Sequence, residues 1–281
     1  MHLMRVGIIG LGAMGAAMAR RLAATGEAAR GFDLDPARAS ASGVAVAADA
    51  TALCAACDLV VLSLPTEAAM AEAGAAFVAA APRGAILVDT STVGPAASRA
   101  LSAMVAGSGR GMLDAPVSGG PAGAASGTLA MMIGGEPATL EAARPVLRRL
   151  ASRIVHVGPS GAGCVAKLVN NAMVATHLLV AAEALRAARL AGVDPAAVLA
   201  AVNGASGRSA ATEVNFPRWI LSGAFDSGFT AGLMRKDLSL AGALPGADAP
   251  LLAAALAAWN ESAVPDAEDF NQVAARRFAK P

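Results

Sequence analysis

Six residues near the start of the chain, Gly10-Leu11-Gly12-Ala13-Met14-Gly15, restrict its fold more than anything that follows. They carry the spacing G-x-G-x-x-G, with an apolar run over Arg5–Gly10 before it and a helix-forming stretch over Ala13–Thr25 after it. Glycines there let the backbone turn tightly from strand to helix and bring the helix N-terminus close to an anion. Alone, the pattern is weak in a chain with 30 glycines, and glycines that merely pack a helix onto a sheet would also fit it. Its setting makes it specific. Asp33 ends the next apolar run, 21 residues past Gly12, where a carboxylate accepts hydrogen bonds from a ribose. The pattern therefore predicts a bound dinucleotide, with Gly10, Gly12, Met14 and Gly15 at the pyrophosphate and Asp33 at the adenosine ribose. Leu34, Asp35 and Pro36 offer no cation to a 2′-phosphate, and two carboxylates repel one. This favours NAD over NADP, with Arg38 the nearby cation that argues the other way.

The rest of the first half repeats the same unit. Apolar runs over Ala28–Asp33, Asp58–Leu64, Ala85–Asp89, Gly111–Asp114, Leu129–Gly134 and Ile154–Val157 alternate with alanine-rich stretches. Such repeats predict an α/β domain with a largely parallel sheet, and unbroken apolar runs are expected where both sheet faces are covered. After Gly158–Gly163 the texture changes. Cys164–Leu190 has helical apolar spacing without Gly or Pro over 27 residues, about 40 Å of helix at ~1.5 Å per residue. Further helices are expected over Pro195–Asn203, Phe216–Leu221, Leu233–Leu244, Pro250–Ala258 and Asp266–Arg277. The expected architecture is an N-terminal Rossmann-type dinucleotide-binding domain over residues 1–160. An all-α domain for substrate and oligomerisation follows over 161–281, joined to it by the long interdomain helix.

Composition narrows the chemistry. The 281 residues are 56% hydrophobic and 15% charged, with 22 Lys and Arg against 21 Asp and Glu. A near-neutral chain without basic runs is not expected to bind nucleic acid. There is no Tyr, so a tyrosine general acid is excluded. Imidazole chemistry is confined to His2, His156 and His177, and thiols to Cys54, Cys57 and Cys164, so neither a metal site nor a disulfide framework is expected. Sparse cysteines fit a reducing cytoplasm. No stretch reaches the ~18 uncharged apolar residues of a membrane span, because Asn170, Asn171, His177, Glu183, Arg186 and Arg189 interrupt the most apolar segment. Glycines in the N-terminal apolar run, and Arg20-Arg21 after it, argue against a signal peptide.

Three later clusters carry polar chemistry. In Met112–Pro121, Ser118, Gly119 and Gly120 follow a strand, and exposed N–H groups in such a turn can hold a carboxylate, although a plain loop reads the same way. In Gly161–Asn171, Lys167 and Asn171 are four apart on one helix face, flanked by Asn170. A lysine near an apolar helix start needs partners or a lowered pKa, and beside a nicotinamide its amine could exchange a proton with a substrate oxygen. A snorkelling lysine and capping asparagines fit equally well. In Phe229–Leu238, Lys236 could reach an anion and Asp237 could hold Lys236 or a helix end. Cys54-Ala55-Ala56-Cys57 reads as two small buried thiols, and His156 as structural.

Taken in order, the segments GLGAMGAAMA, DAPVSGGPAGAASGTLAMMIGG, GAGCVAKLVNNAM and GLMRKDLSLA resemble the β-hydroxyacid dehydrogenases, the 3-hydroxyisobutyrate type above all, over nearly the whole chain. The resemblance implies that Lys167 is the catalytic acid/base and that Ser118, Gly119, Gly120 and Asn171 hold the substrate. It places Pro65, Thr92 and Lys236 at the nicotinamide end of the cofactor site, with Leu64 counted beside Pro65. It implies oxidation of a short 3-hydroxy acid, or reduction of its semialdehyde, by a homodimer or homotetramer. Oxidation requires a neutral Lys167 amine and so favours alkaline pH. Ser206-Gly207-Arg208-Ser209 also fits the family, but Ala210 stands near where an aromatic is usual, which leaves the substrate open among 3-hydroxyisobutyrate, tartronate semialdehyde, serine and succinic semialdehyde. Arg208 could pair with a substrate carboxylate or form a structural ion pair. Related imine reductases usually lack the lysine, 6-phosphogluconate dehydrogenase has a longer C-terminal region, and an NAD-binding regulatory protein would need neither Lys167 nor Asn171.

Overall fold

A computed structural model describes residues 4–246 and 249–280, so that His2 lies outside the described residues. The chain divides into two compact units, Met1–Lys167 and Leu168–Pro281.

The first unit is an α/β sandwich. Its strands are β1 (Val6–Ile9), β2 (Ala29–Phe32), β3 (Ala45–Val46), β4 (Leu59–Leu62), β5 (Ile86–Asp89), β6 (Gly111–Asp114), β7 (Val117–Ser118), β8 (Leu129–Gly135) and β9 (Ala151–Gly158). They hydrogen-bond in the order β3-β2-β1-β4-β5-β6-β8-β7, with β9 added to β8. The six strands from β3 to β6 run parallel, β8 is antiparallel to β6 and β7, and β9 returns parallel to β8. The helices between them are α1 (Ala13–Ala24), α2 (Pro36–Ala41), α3 (Ala50–Ala55), α4 (Glu67–Ala80), α5 (Pro95–Gly107), α6 (Gly120–Ser126) and α7 (Pro137–Leu150). Short polar side chains start three of them: Asp35, Asp49 and Thr66 each accept a first-turn N–H.

The continuous apolar runs are explained by two buried layers. Val6, Ile8, Leu59, Val61, Ile86 and Val88 point to one face, under α1, α6 and α7. Ile9, Val60, Leu62 and Leu87 point to the other, under α3, α4 and α5. Alternate residues face opposite sides of a strand, so burial of both faces demands an unbroken apolar sequence. The strand order reverses between β2-β1 and β1-β4, and the glycine loop follows β1 at that switch point, where doubly wound sheets bind ligands.

Helix α8 (Ala162–Leu190) begins in the first unit and continues into the second, with the division between Lys167 and Leu168. The second unit continues with α9 (Pro195–Asn203), a π-helix over Ala211–Ile220, α10 (Ala231–Gly242), α11 (Pro250–Asn260) and α12 (Asn271–Ala279). Its core gathers Leu178, Ala182 and Leu185 of α8 with Phe216, Leu238, Trp259 and Phe270.

Three expectations are corrected here. The segment expected as an α-helix over Phe216–Leu221 is the end of a π-helix that starts at Ala211, and Pro217 within it has no N–H for an α-helical bond. The last helix starts at Asn271 and not at Asp266. The stretch before it bonds instead to the start of α10, where Ala231 and Gly232 donate to the carbonyls of Glu268 and Asp266 and the N-cap Thr230 bridges Asp269. Finally, α8 is long and apolar enough, by length and composition, to cross a membrane, and half of its most apolar window is buried inside the fold, as in the core helix of a globular protein.

Candidate active site

The glycine loop is built for close backbone approach. Gly10 has φ +92°, and its N–H donates to Phe32 O across 2.9 Å. A Cβ on Gly15 would lie 1.8 Å from Gly10 O, so α1 packs on β1 only because that atom is missing. Gly12 differs: it is the N-cap of α1, and a Cβ there would meet nothing within 4 Å. The first turn of α1 has no side-chain cap and no acidic residue. Open space in front of uncapped helix N–H groups is what a pyrophosphate requires, so these residues fit a dinucleotide. Asp33, just past β2, is tied into the same turn. Its Oδ2 accepts from Leu11 N at 2.7 Å and its Oδ1 from Asp35 N at 2.9 Å. A groove of about 450 Å³ beside the loop is lined by Leu11, Gly12, Ala13, Ala16, Arg20, Arg38 and Ala41. Arg38 pairs with Asp35 at 3.4 Å.

Two further loops leave the same strand ends. Leu64 follows β4 and donates its N–H to the Ser91 hydroxyl at 3.0 Å, while Pro65 beside it is exposed. Ser91 N in turn donates to Asp89 Oδ1 at 3.0 Å, which sets the turn in which half-buried Thr92 lies. Ser118 ends β7, where it pairs with Ala130. Gly119 and Gly120 then take φ of +125° and +63°, and α6 starts without a side-chain cap. That turn needs glycine twice in succession, since a positive φ strains any residue with a Cβ.

Lys167 is buried on α8, 8% exposed. The start of that helix is held by Asp114, 1% exposed at the end of β6. Asp114 Oδ1 accepts from Gly161 N at 2.8 Å and its Oδ2 from Cys164 N at 3.0 Å.

In the helical unit, Asn171 is buried one helical turn after Lys167 on α8. Its Nδ2 donates to Asp237 Oδ2 at 2.7 Å, and its Oδ1 accepts from Asn170 Nδ2 at 3.1 Å. Lys236 Nζ lies 3.4 Å from the other oxygen of Asp237, which is buried on α10. The Asn-Asn and Lys-Asp pairs singled out in the sequence thus form one polar network.

Comparison with known proteins meets the chain on the same segments. Residues 5–158 match the family described as the NAD binding domain of 6-phosphogluconate dehydrogenase. Residues 161–276 match that described as NAD-binding of NADP-dependent 3-hydroxyisobutyrate dehydrogenase. A probable 3-hydroxyisobutyrate dehydrogenase of Mycobacterium tuberculosis is 39% identical over 258 residues, 88% of each chain. The chain belongs to the β-hydroxyacid dehydrogenases. A 2-(hydroxymethyl)glutarate dehydrogenase of Eubacterium barkeri is 37% identical, covering 84% of this chain and 81% of its own. The solved structure of Mycobacterium tuberculosis 3-hydroxyisobutyrate dehydrogenase with L-serine superposes with a TM-score of 0.90 at 36% identity, over 97% of this chain and 98% of that one. As a β-hydroxyacid dehydrogenase, the protein is an NAD(P)-dependent oxidoreductase with a nicotinamide dinucleotide as its cofactor.

The remaining suspects of this dehydrogenase have structural surroundings. Cys54 and Cys57 are buried, and burial, with Cys57 close by, pushes the Cys54 thiol up to about 12. Burial also raises Cys57, against the pull of Arg30 and Arg5. Burial likewise raises the Cys164 thiol. His156 Nε2 meets Gly135 O at 2.8 Å, while His177 and Arg208 are exposed. No group of three His, Cys, Asp or Glu able to hold a metal occurs among the described residues. Asp114 has no role legible in its motif. Its one signal was the placing of a carboxylate at a strand end, next to the Ser-Gly-Gly turn.

Proposed function

We propose that this dehydrogenase is NAD-preferring and oxidises the primary alcohol of a short 3-hydroxy acid, or reduces the matching semialdehyde, with Lys167 as general acid/base. The observation that carries the reading is Lys167 itself, buried one turn past an anchored helix start and one turn before Asn171. A buried ammonium is costly unless it is paired, so a lysine buried at this point of α8 is held in one place and does not wander in solvent. The compounds in the relatives' names, 3-hydroxyisobutyrate, 2-(hydroxymethyl)glutarate and L-serine, share one skeleton: a CH₂OH group and a carboxylate on the same carbon, which also bears a variable group. That skeleton is the proposed substrate class, with the variable group left to a substrate panel.

When bound, the nicotinamide supplies the two-electron acceptor for the hydride. Ser118 and the N–H groups of the Gly119-Gly120 turn bind the substrate carboxylate. Lys167 takes the proton of the alcohol oxygen during oxidation and returns it during reduction. The amide of Asn171, oriented by Asp237, donates its remaining N–H to the substrate. Asp33 accepts from the adenosine ribose, Gly12 leaves room for the pyrophosphate, and Leu64, Pro65, Thr92 and Lys236 contact the nicotinamide half.

The preference for NAD is supported by Asp33 and Asp35 at the end of β2, where a 2′-phosphate would meet two carboxylates. One observation favours NADP as a second reading: Arg20 and Arg38 line the groove beside Gly12. Arg38 and Asp35 pair with each other at 3.4 Å and offset one another, which leaves Asp33 as the residue that favours NAD. The reading includes a cytoplasmic enzyme that assembles as a dimer or tetramer, the latter measurable by light scattering. Lys167→Ala is the decisive variant. Dinucleotide binding retained with turnover lost on a panel of short 3-hydroxy acids supports the proposal, and near wild-type turnover rejects it.

A further inference from the structure

We propose that Asp114 is the positioning residue for Lys167, locking the first turn of α8 onto the sheet so that the lysine is held at the depth and rotation its proton transfer needs. The inference rests on the acid/base reading of Lys167 and adds a residue that works only through it.

An ordinary N-cap comes from the residue just before the helix and moves with it. Asp114 is instead 47 residues upstream of Gly161 and 50 upstream of Cys164, at the rigid end of β6. Its two carboxylate oxygens each take one N–H, one just before α8 and one in its first turn. A carboxylate there both satisfies orphan donors and faces the positive end of the helix dipole. The packing around it leaves no slack. A Cβ on Gly163 would come within 2.3 Å of Met132 O, 2.7 Å of Asp114 O and 2.9 Å of Asp114 Oδ2. On the β8 side, a Cβ on Gly134 would fall 2.5 Å from Asp114 Oδ1. Two glycines are thus committed to letting strand and helix backbones close on one carboxylate. Lys167 is three residues past Cys164, less than one helical turn from the anchored N–H. With the helix fixed at that point, the lysine Cα cannot slide or rotate, and only its own side-chain torsions remain. Proton transfer needs the nitrogen within ~2.6–3.2 Å of the substrate oxygen, so a small rotation of the first turn is enough to break it.

The test compares Asp114→Asn with wild type, and Asp114→Asn in a Lys167→Ala background rescued by ethylamine, with dinucleotide affinity measured calorimetrically in each. The inference expects Asp114→Asn to lower kcat at least tenfold while the dinucleotide Kd stays within twofold. It expects the amine-rescued Lys167→Ala rate to change less than twofold on adding Asp114→Asn, because a diffusing amine needs no anchored helix. Should ethylamine rescue nothing, the residual rates of Lys167→Ala with and without Asp114→Asn make the same comparison. Asp114→Glu, which keeps the charge and moves it by one methylene, is expected to show the same kcat loss at unchanged Kd. If Asp114→Asn loses folding, seen as loss of dinucleotide binding, Asp114→Glu takes its place in both arms. A kcat within twofold of wild type, or an equal loss in the Lys167→Ala background, overturns the inference. Near wild-type turnover by Lys167→Ala alone identifies the failure as that of the acid/base reading itself.

Discussion

The side chains of Asn171 and Asp237, 66 residues apart, are joined by a buried hydrogen bond of 2.7 Å. An ionised carboxylate only accepts, so the bond turns the NH₂ of Asn171 toward Asp237 and leaves its oxygen to Asn170. Lys236 sits on the second oxygen of the same carboxylate. A hydrogen bond to a buried charge contributes about 1.5–3 kcal/mol. A double-mutant cycle with Asn171→Ala and Asp237→Ala, read by urea unfolding, should therefore give a coupling in that range. A coupling below about 0.5 kcal/mol would mean that the two residues act independently.

Cofactor choice is expected to turn on Asp33. With its carboxylate fixed by the N–H groups of Leu11 and Asp35, it is aimed without paying for its own ordering. Asp33→Ala should weaken NAD binding roughly tenfold, about 1.4 kcal/mol, with a smaller loss for NADP. Asp35→Ala, which releases Arg38 from its ion pair, should strengthen NADP binding and leave NAD nearly unchanged. Titration of each variant with both dinucleotides measures the shift. An unchanged NAD affinity in Asp33→Ala would remove the argument for NAD.

What could be read directly from the chain was whatever depends on neighbouring residues. The turn at Gly10–Gly15 needs glycine at two positions close in sequence, Gly10 and Gly15, the strands β1, β4, β5 and β6 are buried on both faces, and Pro195 and Gly192 bracket a helix break, so each leaves a local mark. Contacts made at long range leave none. Asp114 lies inside the Met112–Pro121 motif, yet its partners are Gly161 and Cys164, and no periodicity links them. Asp237 has its partner in Asn171, 66 residues away, and nothing in its own neighbourhood of the chain points there. The two-residue strands β3 and β7 are too short to show an alternation, and the π-helix over Ala211–Ile220 has no apolar spacing that separates it from an α-helix.

The buried thiols predict a stability that declines in alkali. Burial raises the Cys54 thiol from its ordinary 9.0 to about 12, so between these values the unfolded chain releases a proton that the folded one keeps. The stability contribution is complete below the ordinary thiol value and is lost as pH climbs toward the folded one. The urea midpoint should fall as pH rises above about 9, and Cys54→Ala should flatten part of that slope. Ellman's reagent should leave Cys54 unmodified in the native protein and react with it once urea is added. Rapid native labelling of Cys54 would contradict the burial.

Gly12 and Gly15 stand three residues apart in the same motif but should fail in different ways. At Gly12 the backbone has φ −64°, which any residue adopts, and a methyl group would point into open space. Gly12→Ala is therefore expected to leave stability within about 0.5 kcal/mol of wild type, the usual range for a substitution that meets nothing. Its methyl would occupy the space in front of the α1 N–H groups, so dinucleotide affinity should fall at least tenfold. At Gly15 the added Cβ would sit 1.8 Å from Gly10 O, and both are backbone, so no side chain can swing aside. Gly15→Ala must push α1 off β1, an overpacking cost of about 1–3 kcal/mol or more, and affinity should fall as a consequence of the displaced loop. Urea unfolding and dinucleotide titration on the two variants separate these outcomes. If Gly12→Ala binds like wild type, the pyrophosphate does not lie against the start of α1.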